Sequence, residues 1–73
     1  MDYENELINI KEIHENTMYL TNILKDNNHK YTEVCYNYLS KSYWIIGEEI
    51  NWFLGNNKEE SEVNLLEYLN NCK

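Results

Sequence analysis

Apolar residues recur along the chain at intervals of three and four, and that spacing predicts helices. From Tyr3 to Leu24 the series Tyr3, Leu7, Ile10, Ile13 or His14, Thr17, Leu20 and Leu24 falls on one face of a 3.6-residue repeat. Asp2 can cap its start, and Glu4 and Glu6 suit the positive end of the helix dipole. Asp26, Asn27 and Asn28 then end the segment, because their side chains compete for local backbone bonds and tolerate left-handed turns.

A second helix is expected from about Lys30 to Leu54, with Gly55 just past its end where a C′ glycine belongs. Its apolar face takes in Tyr31, Val34, Cys35, Tyr38, Leu39, Ile45, Ile46, Ile50 and Phe53. A third runs from about Lys58 to Asn70. Asn57 followed by Glu60 makes a near capping box there, reinforced by Glu59. Val63, Leu66 and Leu69 are its inward positions, with Leu65 and Cys72 as further candidates. Proline is absent and glycine occurs twice, so the chain has few built-in breaks. The expected fold is all-α: one helical domain over residues 1–73, with two long antiparallel helices and a shorter third.

The second segment carries the unusual stretch "SYWIIGEEINWFLGNN", Ser42 to Asn57. At about 100° per residue, Tyr31, Cys35, Tyr38, Ser42, Glu49 and Phe53 cluster on one side, with Glu49 near the centre of the core face. Trp44 falls on the far side, with Tyr36, Tyr43 and Gly47 beside it and Trp52 at the edge. Gly47 is read as permitting close approach of another helix. A helix apolar nearly all round is buried or sits in an interface. The first two helices would be about 33 and 37 Å long and the third about half that. One short helix cannot cover the whole seam. The surplus apolar surface calls for a second copy, giving a larger helical bundle, or for a different protein.

Charge narrows the choice of partner. Net charge is −7, from thirteen acidic residues against six lysines and no arginine. Phosphate contact needs clustered cations, so direct nucleic-acid binding is not expected, and an anionic membrane would repel this surface. A basic protein surface is the electrostatic complement. Cys35 and Cys72 form no framework, no signal peptide is visible, and no run approaches transmembrane length, so a reducing, cytoplasmic location is expected.

No catalytic constellation stands out. His14 lies on the first core stripe and His29 in the turn after it. With two distant cysteines, these make no metal-ligand spacing, and neither a metal nor a cofactor is expected. Cys35 lies in an apolar stripe, unlike the electropositive setting of a nucleophilic thiol. Glu49 has tyrosines and a serine as neighbours to satisfy it and no second carboxylate to share general acid–base work. The chain is therefore not read as an enzyme.

What remains is an acidic, aromatic surface. Glu33, Tyr36, Tyr43, Trp44, Glu48 and Trp52 are the candidate partner-binding residues: aromatics as anchors, carboxylates to steer a basic partner. The bland alternatives are a solvated acidic face and an ordinary core. The expected function is a small protein-binding module that inhibits or modulates a larger, basic, nucleic-acid-handling protein, after the manner of phage- or plasmid-encoded anti-restriction and anti-CRISPR proteins. The alternative is a homodimeric structural, assembly or regulatory bundle without a blocking role.

Overall fold

The computed structural model describes the backbone of residues 3–71 and the side chains of residues 9–71. Helix α1 (Tyr3–Asp26) is followed by three strands, β1 (Thr32–Asn37), β2 (Ser42–Gly47) and β3 (Asn51–Gly55), and then by helix α2 (Lys58–Asn71). The strands form an antiparallel meander in the order β1-β2-β3. The fold is α+β. This corrects the all-α, helical-bundle expectation: the long second helix does not exist, and its residues are the sheet.

The two flanking helices form where the apolar spacing places them. At the end of α1, His29 N–H donates to Leu24 C=O at 3.0 Å and Asn28 N–H to Lys25 C=O at 3.1 Å. Asn28 sits between them in the left-handed region, with φ of 70°. That pair of bonds around a left-handed residue is a Schellman stop. At the start of α2, the Asn57 side-chain oxygen accepts from Glu60 N–H at 2.8 Å, the N-cap bond its position predicts. The Asp2 cap and the positions of Tyr3, Leu7 and Cys72 on the apolar stripes fall on side chains outside those described.

The middle of the chain prefers strands because its residues are β-branched and aromatic, and because two turns interrupt it. In the first, the Asn37 side-chain oxygen accepts from Leu39 N–H at 2.8 Å and Ser40 N–H at 3.1 Å, and Lys41 turns left-handed with φ of 54°. In the second, Gly47 N–H donates to Ile50 C=O at 3.0 Å across the pair Glu48–Glu49. Glu49 is therefore an exposed turn residue rather than the centre of a core face. The glycines have other uses than those expected. A Cβ on Gly47 would meet Ile50 and Thr32, so the close neighbour is within the sheet and not another helix. Gly55 ends β3 beneath the Glu60 side chain, and its φ is not positive.

Both helices pack on one face of the sheet. The core joins Leu20 and Leu24 of α1, Val34, Tyr43, Ile45 and Leu54 of the strands, and Leu65 and Leu69 of α2. On α2, Ser61, Leu65 and Leu69 point inward, whereas Val63 and Leu66 are exposed, contrary to the expected stripe. The helices also meet where Lys58 Nζ lies 4.5 Å from the centre of the Tyr19 ring, a cation–π contact.

Polar side chains from the helices reach the outer strands. Val34 N–H donates to Thr21 Oγ1 at 2.8 Å. That N–H therefore points away from β2. The β1–β2 ladder then uses Glu33, Cys35 and Asn37, which alternate with Val34. On the opposite side, the register with β2 jumps from Trp44↔Phe53 to Tyr43↔Gly55, so Leu54 is the extra residue of a bulge. A bulge leaves a backbone group unpaired, and Asn64 of α2 donates its side-chain amide to Leu54 C=O.

Candidate protein-binding surface

The sheet has one face under the helices and one face without them. Cross-strand register puts Cys35, Trp44 and Phe53 in one row on the uncovered face, with Glu33, Ile46 and Asn51 in the next. Trp44 and Phe53 meet edge-to-face, 5.4 Å between ring centres. Phe53 is 45% exposed, and Trp44, Ile46 and Cys35 are half-buried. The Trp44 indole N–H donates to Ser42 Oγ at 2.8 Å, and Ser42 also bonds Ser40 Oγ. With that N–H satisfied internally, the exposed part of the indole is its apolar body.

The six residues singled out in the sequence do not share one face. Glu33 and Trp44 lie on the uncovered side. Glu48 is in the β2–β3 turn. Trp52 stands beside Ile45 in the register and tilts against Tyr68 of α2, 5.6 Å between ring centres. Tyr36 and Tyr43 lie under α1. Tyr43 is buried, accepts the Asn16 side-chain amide at 3.0 Å, and packs edge-to-face on Tyr36 at 4.8 Å. The wheel grouped them because it assumed a helix, in which positions 36, 43 and 44 are neighbours; in strands, 43 and 44 point to opposite faces.

Phe53, Ile46 and Cys35 were missed as surface residues, since the helical reading assigned all three to the core. In a strand neighbouring side chains point to opposite faces, which separates Trp44 and Phe53 from Tyr43, Ile45 and Leu54, but "SYWIIG" and "NWFLG" are apolar almost throughout and carry no polar alternation to signal it.

Beside this face the chemistry is quiet. Burial, and secondarily the nearby Glu33 carboxylate, pushes the Cys35 thiol above its ordinary pKa. The thiol points to Glu33 at 3.7 Å. A thiol held protonated is a poor nucleophile at neutral pH. Burial also raises the Tyr43 hydroxyl, partly countered by its bond from Asn16. His14 is exposed. Among the described residues, no three His, Cys, Asp or Glu side chains are grouped to hold a metal ion, and no helix is long and apolar enough to cross a membrane.

A cleft of about 740 Å³ opens on the other side, between the first half of α1, the β1–β2 turn and the start of α2. Tyr36, Tyr38 and Tyr43 line it along with Asn9, Asn16 and Lys41. Its walls mix amides, both signs of charge and aromatic rings. The chain matches no family model, no curated protein and no solved structure.

Proposed function

We propose that this chain is a protein-binding module that docks on a basic surface of a larger, nucleic-acid-handling protein and inhibits or modulates it. The observation that carries the reading is the Trp44–Phe53 pair on the helix-free sheet face of a chain with net charge −7. Aromatic anchors in a half-buried apolar patch supply affinity, and the surrounding negative field supplies steering. Glu33 on β1 and Glu48 in the adjoining turn stand on the rim and contribute to approach rather than to hold. A cytoplasmic setting belongs to the same reading, in which Cys35, a free thiol among the described residues, stays reduced.

The test is affinity capture from a host extract with wild type and the Trp44→Ala, Phe53→Ala double variant, each in low and high salt. A basic nucleic-acid-handling protein retained by wild type, lost with the double variant and weakened by salt supports the proposal. Equal retention by the double variant rejects it. Pairing of two copies through the same face is separated by light scattering of wild type and Trp44→Glu. Self-repulsion at this net charge opposes that pairing.

A further inference from the structure

We infer that the outer edge of β1 accepts an extended segment of the partner as a fourth strand, in the groove between β1 and the first half of α1. The inference rests on the partner-binding reading above and names how a segment of that partner is held. Three observations meet at this place.

The first is the hydrogen-bonding pattern. Val34 N–H leaves the sheet to reach Thr21, so residues two positions away on β1 also direct their backbone groups outward. Tyr36 is one of these. Beyond Thr21, α1 no longer supplies a partner to the strand, and among the described residues none bonds the outward N–H and C=O of Tyr36. An edge with free groups is a template for another strand.

The second is space. A groove of about 530 Å³ runs along this edge, with Ile10, Ile13, His14 and Thr17 of α1 on one wall and Val34 and Tyr36 of β1 on the other. Ile10 is 50% exposed. The helix overhangs the sheet here. The molecule is 46 Å along its long axis, while a six-residue strand spans only about 20 Å. Among the described side chains of α1, the fully buried ones, Leu20 and Leu24, lie in the second half of the helix.

The third is chemistry of the occupant. An added strand alternates its side chains between the helix side and the uncovered side. Its helix-side residues meet Ile10 and Ile13 and are apolar. Those on the other side stand beside Glu33, on the strand next to Trp44, and are basic. Among the described residues, Lys11 is the lysine on the groove's helix wall, near His14; against it stand Glu12 on the same helix, Glu33, and the net charge of −7. The occupant is thus an extended segment alternating basic and apolar residues.

The probe is a capped ten-residue peptide of alternating lysine and valine, titrated into the full chain at low salt with amide hydrogen exchange as a second readout. Binding with new protection at the Tyr36 amide is expected. Affinity falls at least tenfold when the four central residues of the peptide are N-methylated, and at least fivefold in Ile10→Lys. It is little changed in Val63→Ala, an exposed position on α2. If the N-methylated peptide binds equally well, or Tyr36 gains no protection, the edge inference is overturned. Should Trp44→Ala alone abolish binding, the edge fails while the open-face reading stands. Dissociation constants weaker than about 1 mM in every arm also overturn it.

Discussion

Replacing Thr21 by valine tests how firmly the β1 edge is closed at Val34, short of its open end at Tyr36. The two side chains have nearly the same shape and similar helix propensity, so the change removes one oxygen and little else. That oxygen accepts Val34 N–H at 2.8 Å and lies 3.5 Å from Val34 C=O. Val34 is 4% exposed, so its N–H finds no full replacement in water. An orphaned donor costs about 1–3 kcal/mol, and the half-buried position of Thr21 puts this case toward the lower end, at about 1–2 kcal/mol. In a domain of this size that lowers Tm by roughly 6–13 °C. Thermal unfolding by circular dichroism gives the shift, and exchange of the Val34 amide gives its location. Thr21→Ser keeps the hydroxyl and serves as the rescue. A valine variant with unchanged Tm and a still-protected Val34 amide would refute the claim that this bond closes the edge at Val34.

The remaining predictions concern one helix, one cap and the alkaline limb. Ser61 Oγ is buried without a partner among the described residues, so Ser61→Ala gains about 1 kcal/mol from relief of desolvation and better helix propensity; a lower midpoint in urea would contradict this. Asn57→Ala removes the bond to Glu60 N–H and loses about 1 kcal/mol, and Asn57→Ser should recover most of it. The folded state holds both the Cys35 thiol and the Tyr43 hydroxyl protonated beyond their ordinary values of 9.0 and 10.0. In both cases the unfolded chain loses its proton first. The stabilisation is therefore complete below those ordinary values and falls as pH rises through and beyond them, so the urea midpoint drops above about pH 9. Cys35→Ala should remove the earlier part of the fall, and a flat profile to pH 11 would show that neither group contributes.

The ends of the molecule were legible in its sequence and the middle was not. Asn28 and Asn57 carry local chemistry that acts wherever the chain goes, and both helix boundaries follow from it. Residues 30–54 are so rich in apolar side chains that a 3.6-residue and a two-residue period both fit. The turn that decides between them, Glu48–Glu49, lacks the Asn-Gly or Asp-Gly pair that marks tight hairpins, and neither residue adopts positive φ. The β-branched and aromatic content of "TEVCYN", "SYWIIG" and "NWFLG" favoured strands and was outweighed by the absence of proline and the scarcity of glycine. The candidate surface suffered the same way. Trp44 does stand apart from the core, but only pairing across three strands brings Phe53 to it, and no single-helix projection contains that pairing.

The meander has a kinetic meaning. Every strand pairs with its neighbour in the sequence, through connections of only a few residues, and of the bonds that tie helices to strands Thr21–Val34 spans 13 residues and Asn64–Leu54 10, with Asn16–Tyr43 longer at 27. Loops this short lose little entropy on closing, and topologies dominated by near neighbours cross their folding barrier fast. Each half of the chain can assemble on its own strand before the halves meet at β2. A chain of 73 residues with a thin core thereby spends little time with its apolar strands open, which protects it from self-association while it is made.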